Sequence, residues 1–96
     1  MKQHNYKVSI EHISDKDGNT VNETPLVFNM PSHDNIADIL SHFEKNPHDF
    51  NQETATRFVI GLKLLGEVLL ENRQHSFFSQ FEPHFREIMH IVKGKK

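Results

Sequence analysis

Phe58-Val59-Ile60-Gly61-Leu62-Lys63-Leu64-Leu65-Gly66-Glu67-Val68-Leu69-Leu70 decides the fold. Its apolar residues take up too much of a helix circumference for a helix resting on a surface. Lys63 and Glu67 interrupt the run, and it is too short to span a bilayer. It reads as the helix around which the rest of the chain packs. At about 100° per residue, Phe58, Leu62, Leu65 and Leu69 fall on one line, with Val59 and Leu70 to one side and Val68 to the other. The apolar arc covers about 200°. Ile60 and Leu64 extend it towards the polar side, where Thr56, Lys63, Glu67 and Glu71 gather, so a lone monomer has trouble hiding every apolar group. Another helix or another subunit is expected on that flank, which makes Ile60 and Leu64 the candidate interaction surface. Gly61 and Gly66 each cost about 1 kcal/mol relative to Ala in a helix interior, and close approach of a neighbouring backbone would offset that cost.

Upstream, Asn51 is placed to cap this helix, which is carried from about 52 to 72, with Glu53 and Arg57 spaced for mutual support. Asn46-Pro47-His48-Asp49 breaks the preceding helix, and Phe50 can act as a hydrophobic anchor. In that preceding helix Ile36, Ile39, Leu40 and Phe43 form one stripe, behind a cap supplied by Ser32 or Asp34. Further back, Tyr6, Val8 and Ile10 alternate with Lys7, Ser9 and Glu11, the period of a strand with one buried face. Ser14 to Asn19 concentrates turn formers before Leu26, Phe28 and Met30 resume the alternation, so an antiparallel hairpin is expected. Pro25 should begin the second strand or sit on its free edge, and Pro31 should end it.

Downstream, Phe77, Phe78 and Phe81 crowd one short turn, and Pro83 suits the first turn of a last helix. That helix carries Phe85, Ile88, Met89 and Val92, with Gly94 as a stop. A single helix kinked at Pro83 over 77–92 is the alternative, at the cost of an interior proline. The fold class is therefore α+β, an N-terminal antiparallel β-hairpin followed by three α-helices in one domain over 1–96. A two-stranded ribbon has open edges and the central helix a broad apolar girdle, and together they point to a homodimer.

Lys plus Arg number 11 and Asp plus Glu 13. That balance offers no field to draw in nucleic acid or an anionic membrane. The chain has no cysteine, which excludes disulfides, thiol catalysis and Cys-based zinc sites. Its first residues run into the alternating segment with no apolar stretch of signal-peptide length, so the expected location is the cytoplasm. Asp15-Lys16-Asp17-Gly18-Asn19 resembles the start of a calcium loop, but Thr20 stands where the tight-turn glycine belongs and Leu26 where the bidentate carboxylate belongs, so a plain turn is expected.

The eight histidines are scattered over every element, without a His-x-x-x-His pair on one helix face. Glu67, Glu71 and His75 would line one ridge if the central helix ran on to His75, and they are the candidate metal ligands. Glu87 and His90 have the Glu-x-x-His spacing of carboxylate-bridged metal bundles, but such sites need two pairs. The bland reading has Glu67 and Glu71 on the wet face of the helix and His75 near its C-terminal end. A pocket, if one exists, would use Arg73, His75, Glu67 and Glu71. No nucleophile elbow or Gly-rich phosphate loop is present, so catalytic residues, cofactors and enzyme activity are not expected.

Gly61 to His75, followed by Phe81-Glu82-Pro83-His84-Phe85, carries a likeness: the chain resembles the bacterial family catalogued as Domain of Unknown Function 3861. The resemblance spans the whole chain and implies small, soluble, intracellular proteins, without a reaction, ligand or site to transfer. Two functions follow from the residues. One is a self-associating protein-interaction or regulatory module that uses Ile60 and Leu64 or a sheet edge. The other is a metal- or small-ligand-binding protein using the ridge of Glu67, Glu71 and His75.

Overall fold

The structure, a computed structural model, describes residues 2–44 and 51–94. The break expected at 46–49 and the anchor expected at Phe50 lie outside the described residues. The elements are β1 (His4–Ile10), β2 (Leu26–Ser32), α1 (Ile36–Glu44), α2 (Gln52–Glu71), α3 (Ser76–Ser79) and α4 (Glu82–Val92). The fold is α+β, a hairpin followed by helices, and the chain divides into two units at Asn35 and Ile36.

In the first unit β1 and β2 pair antiparallel, with Tyr6 opposite Met30, Val8 opposite Phe28 and Ile10 opposite Leu26. Directly opposed residues share a face, so the two alternating runs make one apolar face. Met30 is buried and Tyr6 and Val8 are half-buried, whereas Ile10, Leu26 and Phe28 at the far end are exposed. Pro31 does not end the strand; it sits inside β2 opposite Asn5, and pairing continues to Ser32. Both strands of a two-stranded ribbon are edges, so alternate amides point away from the partner and a proline there removes no ladder bond. Ser32 is fully buried; its hydroxyl donates to the Asp34 carbonyl at 2.9 Å and accepts from the Asp34 amide at 3.1 Å.

Asp15 builds the hairpin tip. One carboxylate oxygen accepts from the Asp17 amide at 3.0 Å and the Asn19 amide at 2.9 Å. Gly18 takes φ +88 there, the left-handed conformation that the turn requires. The calcium-loop resemblance thus reduces to a turn whose acid is engaged with its own backbone. The Asn19 amide, ahead of those of Asp17 and Gly18, holds the Asp15 carboxyl below its ordinary 3.8.

In the second unit Asn51 caps α2 as expected, its side chain accepting from the Thr54 amide at 2.8 Å. The core is formed by Phe43 of α1 with Ala55 and Val59 of α2, joined by Ile39, Leu40 and Val92. The α2 helix ends at Glu71, where the Asn72 side chain donates to the Val68 carbonyl at 2.7 Å. The last apolar stripe is two helices rather than one kinked rod. A single turn, α3, closes before Phe81, and α4 begins with Pro83 in its first turn, where a missing amide costs nothing. Gly94 ends α4 at φ +72. Among the described residues the expected three helices become four, because that single turn is helical. Among the described residues Glu53 is not paired with Arg57, and α2 carries a side-chain ion pair between Lys63 and Glu67.

Candidate functional site

The inward face of α2 is set by its smallest residues. Ala55 and Gly66 leave room for neighbours, and a Cβ built on Gly66 would meet the Phe85 ring at 3.1 Å. The close approach expected at Gly66 therefore exists, but with an aromatic ring of α4 rather than a backbone. Ala55, Val59 and Leu69 are buried on this face. Glu67, which the sequence placed on the wet side and which the helix turn carries to a different side from Leu69, is buried as well.

The exception is a carboxylate with a partner. Lys63 Nζ donates to Glu67 Oε2 at 3.1 Å, and the two side chains are 16% and 7% exposed. The order, Lys four residues ahead of Glu, is the weaker one for a helix dipole, so the pair owes its standing to burial and proximity. Glu67 Oε1 is buried without a hydrogen bond among the described residues, a cost of about 1–3 kcal/mol.

The ridge of candidate metal ligands does not assemble. Glu67 faces inward, Glu71 is exposed, and His75 lies beyond the end of α2. His75 instead caps α3: its Nδ1 accepts from the Phe77 amide at 3.1 Å, and its ring lies 5.3 Å from that of Phe78. The lone pair a metal would use on Nδ1 is thus engaged. The projection to i+8 failed because Asn72 caps the helix one turn too early for His75 to share its face. Among the described residues, no three His, Cys, Asp or Glu stand close enough together to hold a metal ion. Arg73, Glu87 and His90 are exposed, and among the described residues they join no metal-holding group with Glu67, Glu71 or His75.

The exposed apolar surface of α2 is wider than the two residues the sequence singles out. Ile60 and Leu64, the expected interaction surface, are half-buried. More of the exposed apolar area on α2 comes from Phe58 at 43%, Leu65 at 41% and Val68 at 40% in one row, and from Leu70 at 39% on another side of the helix. Phe58 keeps one ring face on Phe43, centroids 5.8 Å apart. Gly61 lies in the same row, and among the described residues a Cβ there would meet nothing within 4 Å. The reason for the shift is geometric: an apolar arc of about 200° is wider than one groove can cover, and the small residues fix which edge turns inward. The spacing of Phe58, Gly61, Leu65 and Val68 was the legible signal for this second seam. A second apolar patch sits at the α3 corner, where Phe77 packs edge-on against Phe78 and Phe81, centroids 5.2 Å from each, and is 55% exposed.

Residues 4–94 match the family model described as a domain of unknown function with solved structure, DUF3861. The chain belongs to the Domain of Unknown Function 3861 family. A crystal structure of a protein of unknown function from Pectobacterium atrosepticum is similar to this chain with a TM-score of 0.80 and 26% identity, covering 98% of this chain and 100% of that one. No curated protein matches the chain. Among the described residues, no helix is long and apolar enough to cross a membrane.

Proposed function

We propose that this member of the family is a non-enzymatic interaction module that works through apolar surface and associates with itself. The observation that carries the reading is the outward row on α2, where three large apolar side chains remain about two-fifths exposed on the longest helix described. Contiguous apolar surface of that kind marks a binding face rather than ordinary exposure, because scattered single residues do not line up along a helix. The lack of cysteine suits a reducing compartment, and a cytoplasmic location is part of the reading. Sedimentation of the full chain at tens of micromolar, on the order of the Kd of a weak dimer, tests it. A mass above the monomer that falls on dilution supports the reading, and a strict monomer removes its main support.

A further inference from the structure

We propose that α2 is the seam of a homodimer, in which a second copy of the chain lies antiparallel along the row Phe58, Gly61, Leu65 and Val68. The inference rests on the interaction-module reading and names its surface and partner. Steps of three, four and three residues are those of a coiled-coil seam, which runs straight along one side of a helix. From Thr54 to Asn72 it is about 27 Å long at 1.5 Å per residue.

A two-fold interface must be self-complementary, residue i meeting j while j meets i. With the axis passing level with Lys63, Phe58 meets the partner's Val68 and Leu65 meets the partner's Gly61. The empty space over Gly61 then receives the Leu65 side chain, large onto small. A parallel pair would set Gly61 against the partner's Gly61 and leave a hole. This gives the helix-interior glycine a role that its own neighbours do not supply, since among the described residues a Cβ built there would meet nothing within 4 Å.

Charge agrees with that axis to within about one residue, 1.5 Å along the helix. Arg57, Leu64 and Glu71 recur every seven residues along one flank of the row; Arg57 and Glu71 are exposed and Leu64 is half-buried. In an antiparallel pair this flank faces its own copy, so Arg57 meets the partner's Glu71 at both ends and Leu64 meets the partner's Leu64 at the axis. The partner that satisfies spacing, volume and charge together is another copy of this chain.

The test is a charge swap. Sedimentation of the full-length wild type is compared with Arg57→Glu, Glu71→Lys and the double variant at about 5–200 μM, with far-UV circular dichroism as the check on folding. Leu65→Glu serves as the disrupting control. Each single reversal is expected to raise the dimer Kd about tenfold, through like-charge contact at both ends. The double variant is expected to return to within about twofold of wild type, and Leu65→Glu to be a folded monomer. A dimer that ignores all four changes overturns the seam but leaves the interaction-module reading standing on another surface. A wild type that stays monomeric overturns the seam and withdraws the support of the broader reading as well. Reversals that weaken association without rescue in the double variant overturn the antiparallel pairing.

Discussion

Replacing Lys63 with methionine should destabilise this protein far more than replacing Glu67, although the two form one ion pair. At 3.1 Å the gross attraction is about 5 kcal/mol at an effective dielectric of 20. It offsets the desolvation of a carboxylate that is 7% exposed. Lys63→Met removes the attraction and leaves the desolvation, a situation that costs about 3–5 kcal/mol. Because Lys63 is itself 16% exposed, solvent screens part of the interaction, and the low end, about 3 kcal/mol, is expected. A domain of this size has about 5–14 kcal/mol in total. Glu67→Met should cost only about 1 kcal/mol, since a lysine can carry its ammonium to water along a flexible stem. The double variant, with apolar groups on both sides and no orphaned Oε1, should lie within about 1 kcal/mol of wild type. The assay is urea unfolding followed by far-UV circular dichroism at about 2 μM, low enough that self-association adds little. A loss under about 0.5 kcal/mol for Lys63→Met, or single effects that simply add in the double variant, would refute the reasoning. Either result would mean that Glu67 is bathed in water and that α2 does not turn this face inward.

The two helix-interior glycines should respond differently to alanine. Gly61→Ala should stabilise the monomer by about 0.5–1 kcal/mol, because the new methyl meets nothing; Gly66→Ala should gain at least about 1 kcal/mol less, since the Phe85 ring must move aside. Thermal melts of dilute protein compare them, and equal gains would contradict the close approach. Asn51→Ala should cost about 1 kcal/mol through the Thr54 amide it leaves without its acceptor, measured by urea unfolding. The Asp15 carboxyl, held down chiefly by the Asn19 amide, should titrate below 3.8. Its contribution is complete above pH 3.8 and is lost as pH falls through the lowered folded value. Carboxyl carbon shifts measured by NMR give the midpoint, and a value at or above 3.8 would contradict the turn geometry.

The hairpin was legible because a period of two leaves little freedom. Tyr6, Val8 and Ile10 on one side and Leu26, Phe28 and Met30 on the other meet in the register that puts all six on one face. The bounds of α2 were legible too, since Asn51 carries its own cap signal and the apolar run ends where Asn72 closes the helix. Pro31 stays within β2 because proline ends interior strands, whereas this ribbon is all edge. The harder failure concerned the rotation of α2. Hydropathy counts Lys63 and Glu67 as wet, but a charged pair four residues apart can turn inward as a unit, and hydropathy cannot report that Ala55 and Gly66 permit the closest packing. For the same reason hydropathy singles out Ile60 and Leu64 and passes over the more exposed Phe58, Leu65 and Val68. His75 shares a ridge with Glu67 and Glu71 only on a helix that runs past Asn72, and its side chain caps the next turn instead.

The central claim is that the long helix turns one apolar side into its own chain and offers another to a partner. Backbone amide NMR spectra of the labelled full chain, recorded at about 5 μM and about 500 μM, ask this residue by residue. Shifts that grow with concentration and concentrate at Phe58, Gly61, Leu65 and Val68 are what the account requires. Spectra that superimpose at both concentrations, or changes confined to the hairpin, would contradict it.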